Sequence, residues 1–171
     1  QDYKQYGTND RYSGHQLNAS LGNKHGGWSW RINVNRLDNN SHPIWFANQP
    51  ISATVGSAGV PVTGAVADKD TKNQDRLIFG ATSQTHTLQD HAKVKLAYEF
   101  SPTVRASYTL GWWRNAVTGS SDTYLRDAAG NPVYSGSVNI DGRQYTLPAT
   151  TISLRRTTLD HVIHGLSVKS D

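Results

Sequence analysis

Strict alternation of apolar and polar side chains, repeated along the chain, is the feature that most constrains its fold. Residues 16–21 alternate at all six positions and residues 28–35 at all eight. Residues 92–100 break the pattern only at Ala97, residues 104–112 hold it throughout, and residues 166–169 repeat it more weakly. A period of two sends successive side chains to opposite faces of a β-strand. No segment shows the 3.6-residue period of a helix, and residues 38–75 carry Pro43, Pro50 and Pro61 together with several glycines. The expected fold is therefore all-β, an antiparallel up-and-down meander of about five long strands.

The connections between these strands are unequal. Two are short: a glycine-rich turn near residues 22–27, and Ser101-Pro102-Thr103 at 101–103, where Pro102 has a fixed φ and no N–H to satisfy. Two are long, about 38–75 and 115–157, and rich in Asn, Ser, Gly, Thr, Ala and Asp. Within the second, Asp127 to Pro132 is turn-like, and Asp141-Gly142 is a second candidate turn between residues 137–140 and 143–147. Structureless connections of this length are uncommon in compact soluble domains. Short turns alternating with long loops are the habit of outer-membrane β-barrels.

The faces differ in chemistry. One collects Leu17, Ala19, Leu21, Trp28, Trp30, Ile32, Val34, Val94, Leu96, Tyr98, Phe100, Tyr108, Leu110 and Trp112. The other collects Arg31, Asn33, Asn35, Lys93, Lys95, Glu99 and Arg105. Trp28, Trp30, Tyr98 and Phe100 cluster beside the short turns, and Trp112 stands near the opposite strand end. Eight residues of tilted strand separate the two levels by roughly 19 Å along a membrane normal. That approaches the lipid-facing band of about 25 Å bounded by aromatic girdles, where amphipathic rings sit at headgroup level. These five aromatics are the expected lipid-facing girdle, and the seven polar residues the expected lumen-facing set. A soluble sandwich with one buried face, such as a carbohydrate-binding module, would alternate in the same way. It leaves the grouping of aromatics by strand end unexplained.

Composition narrows the chemistry. The formal charge of +4 is spread along the chain, and no run of apolar residues is long enough for a membrane helix. With no cysteine, neither a disulfide framework nor a thiolate metal site can form. The chain has no methionine, as in a processed or excised product. His161 and His164, like His86 and His91, fall on opposite faces of a strand, which leaves no expected metal site. Glu99 is the only glutamate, and no nucleophile elbow, P-loop or dinucleotide fingerprint occurs, so neither an enzyme nor a cofactor is expected. Alternation places Trp30 and Arg31 on opposite faces, which spoils a stacking platform for nucleic acid. Arg31, Lys93, Lys95 and Arg105 form a locally positive wall. It could guide an anionic solute, or its charges could pair with other parts of the protein. His42, Trp45, Phe46, Tyr124, Arg126 and Tyr134 lie in the long loops and are candidates for contacting a ligand.

Residues 13–22 (SGHQLNASLG), 27–38 (GWSWRINVNRLD) and 90–113 resemble barrel strands of TonB-dependent outer-membrane receptors. The likeness covers most of the chain and lies in strand style and spacing. It implies a segment of a 22-stranded barrel with a plugged lumen in the bacterial outer membrane. It also implies uptake of a scarce nutrient, most often a ferric siderophore. The implied partners are outer-membrane lipid, the plug domain of the same receptor, the TonB complex acting through an N-terminal region, and a small ligand such as an iron chelate. Residues 1–171 would then be an internal piece of the barrel domain, without plug or TonB box. A porin-type open channel is the nearest alternative.

Overall fold

The computed structural model describes residues 1–170 and is all-β, with no helix among them. In chain order the strands are β1 (Asp2–Gln5), β2 (Thr8–Arg11), β3 (Gly14–His25), β4 (Trp28–Ser41), β5 (Trp45–Pro50) and β6 (Val60–Pro61). They continue as β7 (Val66–Lys69), β8 (Asp75–Glu99), β9 (Val104–Thr123), β10 (Gly136–Ile140), β11 (Arg143–Leu147) and β12 (Arg155–Ser170). The chain divides into two compact units.

The meander unit comprises Gly14–Asn39, Thr87–Val117 and the segment from Arg156 onward. Its strands lie side by side in the order β12-β9-β8-β4-β3, so spatial order follows chain order. The sheet is open, with β3 and β12 as its edges, and the described residues form no closed barrel. Pairing of β3 with β4 runs without a break from Gly14↔Asn39 to His25↔Trp28. The first short turn is therefore only Gly26-Gly27, narrower than the 22–27 read from composition. Residues 22–25 are polar and glycine-containing, yet their backbone stays in the ladder. Gly26 has a φ of 57°, and a Cβ at Gly27 would come within 2.8 Å of the Glu99 carbonyl oxygen, so both positions suit glycine. At the second turn the Phe100 N–H donates to the Val104 carbonyl (2.9 Å), and the Ser101 hydroxyl accepts from the Val104 N–H (3.0 Å).

The core unit comprises Gln1–Ser13, Asn40–His86 and Thr118–Arg155. Phe79, Leu125, Val138, Ile140, Tyr145, Leu147 and Ile152 form its buried centre, with Phe79 edge-on to Tyr145 at 5.6 Å. The segments expected as long loops are shorter and more ordered than composition indicates. Strands β4, β8 and β9 extend to Ser41, from Asp75 and to Thr123, and β5 and β7 both pair with β8. Alternation fails over Leu77 to Ala81 because Ile78, Phe79, Gly80 and Ala81 are all buried, which removes the contrast between faces. The β10–β11 hairpin turns at Asp141-Gly142, both with positive φ, as a two-residue turn of the primed type requires. No helix among the described residues is long and apolar enough to cross a membrane, which says nothing of a β-barrel.

Candidate functional site

The meander unit has almost no buried apolar side chain of its own, only Ala97. Its apolar face lies open: Leu17 and Leu21 are 66% exposed, Trp28 59%, Leu96 44% and Leu110 39%. These residues are not enclosed between two stacked sheets. Exposed apolar surface on this scale marks an interaction face rather than ordinary solvent surface.

The open face is bounded at both strand ends. Beside the short turns, Trp28 packs on Tyr98 (4.7 Å) and Tyr98 on Phe100 (4.8 Å, edge-on), while Trp30 follows two residues along β4. At the other end the apolar run stops at a charged residue on four of the five strands, β4, β8, β9 and β12. Arg36 of β4 meets Asp90 of β8 at 3.5 Å, and Arg114 of β9, two residues past Trp112, meets Asp160 of β12 at 3.9 Å. An apolar belt ending in aromatics on one side and an aromatic plus ion pairs on the other fits a hydrocarbon layer between two polar levels. Tyr108 and His164, whose O···Nδ1 separation is 2.6 Å, interrupt the belt as a hydrogen-bonded pair.

The opposite face is mostly wet, with Trp113, Leu159 and Ile163 as its apolar exceptions toward β12. The Ser20 hydroxyl donates to Asn33, and Asn35 donates to Asn18, joining β3 to β4 by side chains as well as backbone. The Arg105 guanidinium donates to the Ser29 hydroxyl at 3.3 Å. Lys24 and Glu99 form the only ion pair on this face among the described residues, at 2.7 Å. Arg31, Asn33, Asn35, Lys93, Lys95, Glu99 and Arg105 all lie on this side. Lys24 and Lys169 join them but were not singled out from the sequence. Lys24 sits in the stretch read as a turn, and Lys169 in the weakest alternating segment; extending the period of two through 22–25 would have found Lys24. Small residues between the cations leave hollows. One of about 370 Å³ is lined by Gly22, Ser29, Arg31, Lys95, Ala97 and Arg105, and a second of about 280 Å³ again uses Lys95 and Arg105 beside Lys169.

The loop candidates all fall in the core unit but do not form one cluster. His42 stacks face-on on Tyr3 at 4.6 Å, with Tyr12 edge-on to both. Phe46 packs edge-on against Tyr6 at 4.8 Å. The Tyr124 hydroxyl lies 2.7 Å from the Thr8 hydroxyl, and burial pushes its phenol pKa up. These three residues anchor the β1–β2 hairpin. Arg126 spends its guanidinium on the carbonyls of Thr123 (2.6 Å) and Leu125 (3.0 Å), which holds its own loop. Trp45 and Tyr134 remain exposed and are the candidates most open to a ligand.

Sequence reasoning missed the centre of this hairpin's anchorage. Asp68 Oδ2 accepts from Arg76 Nη2 (2.6 Å), Arg76 Nε (2.9 Å) and the Tyr6 hydroxyl (2.9 Å). Hydrogen bonding from Arg76, then from Tyr6, holds the Asp68 carboxyl below its usual range. Among the described residues no group of three or more His, Asp and Glu stands where it could hold a metal ion. Comparison with protein-family models, with curated proteins and with solved structures gives no match for this chain.

Proposed function

We propose that this chain is part of the wall of a TonB-dependent receptor in the bacterial outer membrane, where the meander contributes strands to a 22-stranded barrel. The observation that carries the reading is the open apolar face, interrupted by the Tyr108–His164 pair, backed by a mostly polar face and bounded by aromatics and ion pairs. Water penalises such a face, whereas lipid tails match it. The unpaired edges β3 and β12 fit the same reading, since neighbouring barrel strands would satisfy their backbone groups.

In this role the protein binds and passes a scarce nutrient, a ferric siderophore first among candidates, without a chemical step of its own. The apolar face holds the wall in lipid. The segments between the long strands, with Trp45 and Tyr134 exposed, collect the ligand. The polar face looks onto the lumen and the receptor's plug, and energy arrives through the TonB complex at a region outside these residues. Deleting the gene should abolish uptake of radiolabelled iron presented as its siderophore, and a protonophore should do the same to wild-type cells. Uptake that survives the protonophore but not the deletion would favour an open porin-type channel. Uptake that survives both would refute the transport reading.

A further inference from the structure

The polar face of the meander carries more net charge than the whole protein. Strand register puts Lys24, Arg31, Lys93, Lys95, Arg105 and Lys169 on it against Glu99 alone, while the chain as a whole is +4. Of these cations only Lys24 forms a close ion pair among the described residues, and its partner Glu99 also attracts Arg105. The charge is also polarised along the strands. Arg105 is one residue from the start of β9, Arg31 three residues into β4, and Lys95 four residues from the end of β8, all in the half beside the short turns. The half toward the long connections carries Asn18, Asn33, Asn35 and His91 around its own hollow, with Lys93 at its margin. Like charges that outnumber their counter-charges on one surface repel one another and create a field that draws anions.

We infer that Arg31, Lys95 and Arg105 form an anion site on this face, taking a small solute with two or more carboxylate or phosphate groups. The hollow between them exists because the intervening positions are small. Ala97 stands where alternation calls for a polar side chain, and Gly22 lies so close to β4 that a Cβ would come within 2.8 Å of the Trp30 carbonyl oxygen. Lys95 and Arg105 line both hollows, so one solute can engage them from either side. Arginine offers planar paired donors to a carboxylate or phosphate, and lysine adds a point charge. A neutral amide-lined stretch leading to a cationic one would move an anion toward the short-turn end. That direction rests on the barrel-wall reading; binding itself needs only the folded sheet.

The test is calorimetric titration of the chain, folded in neutral detergent micelles, with pyrophosphate and with tricarballylate. Both should bind saturably and more weakly as NaCl rises. Lys95→Gln and Arg105→Gln should each weaken binding about tenfold, Arg105→Lys should restore most of it, and Arg36→Gln on the opposite face should change nothing. Circular dichroism on each variant separates loss of site from loss of fold. Absence of binding to the folded wild type, or binding indifferent to the Lys95 and Arg105 changes, overturns the site. Capture of polyglutamate with no binding of either small anion overturns it in favour of an acidic protein segment. Vesicle partition measured on the same samples reports on the wall reading separately. A chain that partitions into lipid but ignores both anions refutes only the anion site, and one that binds them while monomeric in plain buffer refutes only the wall.

Discussion

Leu96→Arg discriminates most sharply between a face that meets lipid and one that meets water. Leu96 is four residues from Phe100, just past the end of β8, and four from Ala92, the two ends of the apolar run. Each half is about 13 Å of strand, or about 9 Å along the normal at a tilt near 45°, so the side chain stands at the middle of the belt. An arginine at a barrel's lipid-facing midplane costs about 2–4 kcal/mol. The same exchange at an exposed position in water stays within about 0.5 kcal/mol. At about 1.4 kcal/mol per factor of ten, the lipid case shifts the folding equilibrium some thirty- to several-hundredfold. Guanidinium unfolding of the protein from phosphatidylcholine vesicles, followed by tryptophan fluorescence, reads this directly. Gln16→Arg on the wet face is the matched control and should move the midpoint little. A Leu96→Arg penalty below about 0.5 kcal/mol in vesicles would refute the argument that this face lies against hydrocarbon.

Three further outcomes follow from the same structure. Phe79→Ala should destabilise the core unit by about 3–5 kcal/mol in chemical unfolding, because the ring is fully buried and leaves a cavity beside Tyr145. Asp68→Asn should flatten the acid limb of stability. A carboxyl whose folded pKa lies below its unfolded value of about 3.9 stabilises above that pH, and the contribution is lost as pH falls through the folded value, so thermal midpoints of wild type and variant should converge in acid; a constant gap would contradict this. Replacing Gly27 by Val should disturb the β3–β4 hairpin through the Glu99 carbonyl, seen as lowered amide-exchange protection at Trp28 and His25, and unchanged protection would count against that close approach.

Much of the meander was legible because one face is apolar and the other wet, so the period of two survives along β3, β4 and β9. It was lost where burial is two-sided, as at Ile78 and Phe79, and where both faces are polar, as at residues 22–25 and 82–87. Strand ends were therefore placed short, and with them Lys24 was missed from the charged face. The role of Arg126 was hidden for another reason: residue type shows a cation in a loop, but not that the backbone carbonyls of Thr123 and Leu125 already take its donors. Asp68, Arg76 and Tyr6 are far apart in sequence and meet only through pairing of β7 with β8 and packing of the β1–β2 turn. No periodicity encodes that meeting.

Trp112 and Trp113 provide the most direct test, because adjacent strand residues point to opposite faces: Trp112 continues the apolar belt, and Trp113 packs on His161 at 5.3 Å on the other side. Two variants, each keeping only one of the chain's five tryptophans, Trp112 in one and Trp113 in the other, are placed in vesicles containing lipids brominated on their acyl chains. Quenching of Trp112 by bromine with little effect on Trp113 is the expected result. Equal bromine quenching of both, or of neither, would contradict a sheet with hydrocarbon on one face and water on the other.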